Sequence, residues 1–103
     1  MKKIKKIAVM TSGGDSPGMN AAIRSVVRAC AYYRVSCVGV YRGYEGLIEG
    51  DFIELTARSV NNIINKGGTI LKSARSTEFR TKEGRAKAFE KLKEEEIEAL
   101  VVI

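Results

Sequence analysis

Apolar positions recur along this chain with two different periods, and each change of period marks a new element. Lys6 to Met10 is a short apolar run of strand length, closed by the turn-forming Thr11-Ser12-Gly13-Gly14-Asp15. The period then changes. Met19, Ala22, Ile23, Val26, Val27 and Cys30 recur at spacings of three and four, which predicts a helix from about Pro17 to Tyr33 with one buried stripe. Ser16 suits its N-cap and Pro17 its first turn, while Arg24, Arg28 and Ala31 fall on another face. Valine-rich Ser36 to Tyr41 predicts a second strand, and Gly43 to Gly46 the loop leaving its carboxyl end. A short extended stretch, Phe52 to Leu55, follows the turn signal Glu49-Gly50-Asp51.

Later positions are read in the same way. Ser59 is placed to cap a short helix through Asn65 that Gly67-Gly68 stops, and Ile70-Leu71 is briefly extended. Thr81 caps a long helix from Lys82 to about Glu95, with Ala86, Phe89 and Leu92 on its apolar side, and Ala99 to Ile103 is a last strand. Strands alternating with helices imply the α/β class: a parallel sheet with helical crossovers in a Rossmann-like three-layer arrangement.

Composition narrows the class further. The 103 residues suffice for one small domain or part of one, and 45% apolar content with a single proline argues against disorder. No apolar run approaches the roughly 20 residues of a membrane span. The apolar stretch behind basic Met1 to Lys6 is too short for a signal peptide, so the cytoplasm is the expected location and no membrane partner is expected. A net charge of +6 suits anionic partners such as phosphorylated metabolites or nucleotides. The lysines lack the interleaved aromatics of a single-strand groove, so nucleic acid is not an expected partner. Cys30 and Cys37 have neither Cys-x-x-Cys spacing nor any histidine to join them; they read as buried thiols, and no metal site is expected within this chain.

The chemistry concentrates where the first strand meets the first helix. Adjacent glycines at Gly13-Gly14 let backbone N–H groups approach a bulky anion, and a strand, a glycine turn and a helix N-terminus together make a phosphate site. The pattern is neither the Walker loop, which needs a Lys-Ser or Lys-Thr pair, nor the spaced-glycine dinucleotide fingerprint. By itself a Gly-Gly pair also serves as a plain tight turn. Ser12, Asp15 and Ser16 crowd more polar groups into that turn than a bland connection needs.

Taken whole, TSGGDSPGMNAAIR resembles the opening of the bacterial ATP-dependent 6-phosphofructokinases, and the resemblance runs along essentially the entire chain. Gly39 to Leu47, Asn65 to Arg75 and Ile97 to Ile103 match in the same order. The resemblance implies an N-terminal piece, residues 1–103, of the nucleotide-binding α/β domain of a chain about three times longer. It implies transfer of phosphate from ATP to fructose 6-phosphate with Mg2+, in an enzyme that is usually a homotetramer. On this reading the Gly-Gly-Asp-Gly continuation, the catalytic base and the sugar-phosphate ligands lie beyond Ile103, and the isolated fragment is inactive. A pyrophosphate-dependent relative and a non-catalytic nucleotide-binding module are the alternatives.

Residue by residue, the resemblance makes Gly14 the nucleotide-binding glycine, with Gly13 shaping the same turn. Arg75 becomes the catalytic charge stabiliser beside the transferring phosphate, a task that a planar, permanently ionised guanidinium suits. Ser76, at a nucleotide-contact position, departs from a common phenylalanine. Tyr44 and Arg80 match positions near the adenine, where a ring face and a guanidinium plane can stack on a base; ordinary surface packing would use them equally well. Arg24 and Arg28, four residues apart, project together from the first helix. Spacing alone makes them a solvated basic face; the resemblance makes them a clamp for an allosteric nucleoside diphosphate. Ala57 and Asn62 depart from the family's effector contacts, which places altered or absent regulation among the expectations.

Overall fold

The computed structural model describes residues 3–12, 18–63 and 69–103. In chain order these form β1 (Lys6–Met10), α1 (Met19–Tyr32), β2 (Ser36–Val40), α2 (Gly43–Glu49), β3 (Phe52–Leu55), a 3-10 turn (Glu78–Arg80), α3 (Lys82–Glu94) and β4 (Ala99–Val102). The four strands make one sheet in the order β3-β2-β1-β4, with β1 parallel to both β2 and β4. Alternation along the strands divides the core between the two faces. Val9, Cys37 and Leu55 face α1 with its Ile23, Val27 and Cys30, whereas Ala8, Met10, Val38 and Val40 face Leu47 and Ile48 of α2 and Ala88 of α3. Helices therefore cover both faces, as the three-layer expectation required. Central β1 is sealed, with Ala8, Val9 and Met10 wholly buried.

The sheet is mixed rather than purely parallel, because β3 runs antiparallel to β2. A seven-residue helix rises about 10 Å, less than the length of a strand, so α2 cannot carry the chain back for a parallel return. The stretch read as a loop at Gly43 to Gly46 is the start of α2. Its glycines look like breakers, but Gly46 packs where a Cβ would sit 1.7 Å from the Tyr41 carbonyl oxygen, so the helix can form here only with glycine.

Other boundaries moved as well. The first helix begins at Met19 with Gly18 as N-cap and no capping side chain; the expected cap and first-turn residues, Ser16 and Pro17, lie outside the described residues. Ser59 caps no helix. Its hydroxyl accepts from the Thr56 N–H and donates to the Thr56 carbonyl, locking a turn, and the described residues as far as Ile63 contain no helix there. Ile70-Leu71 is a turn, not an extended segment, closed by the Lys72 N–H on the Thr69 carbonyl with Lys72 at φ 60°. Thr81 caps α3 as expected, its hydroxyl accepting from the Gly84 N–H at 2.9 Å. The buried side of α3 is Gly84 and Ala88, not Ala86 and Phe89: the smallest residues allow its first turn to pack against the 3-10 turn, which leaves Phe89 63% exposed.

Candidate functional site

Three parallel strands deliver their carboxyl ends to one edge of the sheet, the edge at which open α/β sheets hold ligands. From β1 the chain leaves through Thr11 and Ser12. The Ser12 N–H donates to the Ile103 carbonyl at 3.1 Å and the Ile103 N–H to the Met10 carbonyl at 2.9 Å, which fixes the exits of β1 and β4 side by side. The exit of β2 turns into α2 through two residues with left-handed backbone, Arg42 (φ 66°) and Gly43 (φ 56°). A Cβ on Gly43 would lie 3.0 Å from the Thr11 carbonyl oxygen and 3.6 Å from the Ala74 nitrogen. Glycine thus lets α2 start in contact with both neighbouring loops.

Between these loops opens a cavity of about 900 Å³, walled by Ser12, Tyr44, the Ser73-Ala74-Arg75-Ser76 segment, Phe79 and Arg80. The Tyr44 and Phe79 rings stack with centroids 4.4 Å apart and planes tilted by 33°. Ser76 accepts a hydrogen bond from the Phe79 N–H at 3.1 Å, which holds the 3-10 turn and its ring in place. Arg75 and Arg80 are both exposed, and among the described residues no carboxylate lines the walls, so the described part of the wall carries positive charge. An anion with an attached planar ring is the ligand chemistry that two guanidinium groups and an aromatic pair suit.

The structure thus brings together four residues singled out in the sequence, Tyr44, Arg75, Ser76 and Arg80. Gly13 and Gly14 lie outside the described residues. Arg24 and Arg28 are not among the residues of this cavity; Arg24 is half-buried and Arg28 exposed on α1. Phe79 was missed: one phenylalanine in a polar stretch gives no periodic signal, and its contact with Tyr44 arises only in the fold. The described residues contain no group of three or more His, Cys, Asp or Glu side chains able to hold a metal ion. They also contain no helix long and apolar enough to cross a membrane.

The family model described as phosphofructokinase matches residues 6–103. The chain is similar to the ATP-dependent 6-phosphofructokinase of Halothermothrix orenii, 64% identical over 100 residues, and to that of Cytophaga hutchinsonii, 61% identical over 100 residues. Each alignment covers 97% of this chain and 30% of the relative. Among solved structures, phosphofructokinase from Saccharomyces cerevisiae superposes with a TM-score of 0.92 at 50% identity, covering 95% of this chain and 13% of that one. The chain therefore spans about 30% of the length of the bacterial relatives it matches. With a family match over nearly every residue, the same fold and a cationic, aromatic-walled cavity at the expected sheet edge, this chain belongs to the phosphofructokinase family.

Proposed function

We propose that this chain is the N-terminal part of the nucleotide-binding domain of an ATP-dependent 6-phosphofructokinase, which phosphorylates fructose 6-phosphate to fructose 1,6-bisphosphate. The observation that carries the reading is the meeting of Arg75, Arg80, Tyr44 and Phe79 around one cavity whose described lining holds no carboxylate. Phosphoryl transfer asks a protein mainly to align two anions and offset the charge spread over the moving group. Arg75 is suited to that task, because its guanidinium can hold two oxygens at once and keeps its charge at every working pH. Tyr44 and Phe79 offer a ring face to the adenine, with Arg80 beside them. Gly13 and Gly14 carry the phosphates on backbone N–H groups.

Bound ATP supplies the phosphoryl group, with Mg2+ held by residues other than those described here. The aromatic pair favours a nucleoside triphosphate over pyrophosphate as donor, since pyrophosphate has no base to stack. An enzyme needs Arg75 at the transferring group whereas a bare nucleotide-binding module does not, so turnover of an Arg75 variant separates the two.

Arg75→Ser in the full-length protein tests the reading. Removing a donor that stabilises transition-state charge costs about 10² to 10³ in turnover. The expected result is a fall in kcat of that size with folding intact, measured by coupled assay and circular dichroism. Wild-type turnover would refute the assignment; a rise in KM alone would make Arg75 a ground-state binding residue.

A further inference from the structure

Thr11, Asn20 and Thr69 are the buried polar residues of the described chain, at 0%, 0% and 3% exposure, and all three meet at one turn. That turn, 69–72, immediately precedes the Arg75 segment, and its backbone groups are held by other elements. The Ile70 N–H donates to the Asn20 side-chain oxygen at 2.8 Å, from the first turn of α1. The Leu71 carbonyl accepts from the Arg42 N–H at 2.8 Å, at the entry to α2. The Lys72 carbonyl accepts from the Thr11 hydroxyl at 3.1 Å, at the exit of β1.

Proton counting orients the rest. A hydroxyl has one proton, and that of Thr11 goes to the Lys72 carbonyl, which can only accept. The contact of 3.1 Å between the two threonine hydroxyls must therefore be donated by Thr69, whose oxygen accepts in turn from the Leu71 N–H at 3.2 Å. A one-way chain results: Leu71 N–H to Thr69, Thr69 to Thr11, Thr11 to the Lys72 carbonyl. It leaves the turn at residue 71 and returns to it at residue 72. Lys72 itself has a left-handed φ of 60°, a conformation that a residue with a side chain keeps only when its surroundings hold it there.

We propose that Thr11, Thr69 and Asn20 are positioning residues for phosphoryl transfer: they fix the turn at 69–72 to the exit of β1 and the first turn of α1, and so set where Arg75 stands. The proposal rests on the reading of Arg75 given above. It makes the first loop and the arginine loop one unit, joined through buried hydroxyls and not through the ligand. None of the three touches the reacting group; each acts through the backbone of the turn.

The test uses the full-length enzyme and a double-mutant cycle with Arg75→Ser. Thr69→Val keeps the shape and removes the hydroxyl, and Thr11→Val breaks the same chain from its other end. Each is expected to lower kcat about tenfold or more, as loss of alignment does, with a smaller change in the KM for ATP. Thr69→Ser and Thr11→Ser, which keep the hydroxyl, should recover most of that loss. In the Arg75→Ser background Thr69→Val should lower kcat no further, because the group it aims is gone. An equal loss in both backgrounds would overturn the proposal, and so would wild-type kcat for both valine variants while Arg75→Ser alone is slow. If neither valine variant folds although both serine variants do, the hydroxyls serve the fold and the proposal fails. Unchanged kcat in Arg75→Ser itself would instead overturn the reading of Arg75.

Discussion

Gly43→Ala is the substitution whose cost the structure states most directly. At φ 56° an L-residue pays about 1–2 kcal/mol for left-handed backbone. The new methyl would also press on the Thr11 carbonyl oxygen at 3.0 Å, with the Ala74 nitrogen and the Ser73 Cα within 3.7 Å behind it. All three neighbours are backbone atoms, so none can swing aside, and displacing them adds about 1 kcal/mol or more. A total of about 2–3 kcal/mol should lower the melting temperature by several degrees. Because the displaced atoms belong to the two loops that wall the cavity, kcat/KM for ATP should fall about tenfold or more as well. Gly18→Ala is the comparison: its added Cβ meets nothing within 4 Å, its φ is −86°, and it should cost at most about 1 kcal/mol. Thermal melts followed by circular dichroism, with ATP kinetics on the same preparations, read both effects. A Gly43→Ala enzyme that melts and turns over like wild type would refute the claim that α2 is wedged between the two loops.

Three further outcomes follow from the same geometry. Thr81→Ala removes the acceptor of the Gly84 N–H and a 2.6 Å bond to the Glu78 carbonyl, and should cost about 1–2 kcal/mol in thermal or urea unfolding, with Thr81→Ser recovering most of it. Burial, with the neighbouring Cys30 thiol adding to it, pushes the Cys37 thiol from 9.0 up to about 12. The unfolded chain releases that proton first, so this contribution to stability is whole below pH 9 and declines as pH rises towards 12; urea midpoints across that range should fall in wild type and fall less in Cys37→Ala. If Arg24 and Arg28 clamp an effector, Arg24→Ala with Arg28→Ala should abolish the response to a nucleoside diphosphate while turnover at saturating substrate persists, and a response retained in full would leave these arginines a solvated face.

Local signals in the sequence located every strand and both long helices to within a residue or two, because β1, β2, α1 and α3 declare themselves by period and by caps such as Thr81. What stayed hidden depended on distant partners. Gly46 reads as a helix breaker until the Tyr41 carbonyl is seen against it. Phe89 reads as core until Gly84 and Ala88 are found facing inward. Asn20 stands outside the apolar period of α1, yet it is fully buried, its oxygen accepting from a backbone N–H fifty residues later. The site divides in the same way. Tyr44, Arg75, Ser76 and Arg80 were legible through motif resemblance, whereas Phe79 and the threonine chain emerge only when residues 11, 44, 69 and 79 are brought together.

The reversal at β3 has a consequence for how the molecule fails. Because β3 runs against its neighbours, it sets the chain down at the amino-terminal edge of the sheet, opposite the cavity, and Arg75 reaches its place only after a climb back over the α1 face. The described residues of that climb form no helix or strand; Val60, Ile63 and Leu71 pin it to the core, and the bonds around Leu71 hold its top. Its described residues cannot leave alone: losing Val60, Ile63 and Leu71 would strip the α1 side of the core of three of its buried side chains, so they are held by the packing that holds the sheet. Heating should then silence the site and melt the domain together: phosphoryl transfer should vanish over the same temperature range in which the ellipticity of the helices is lost.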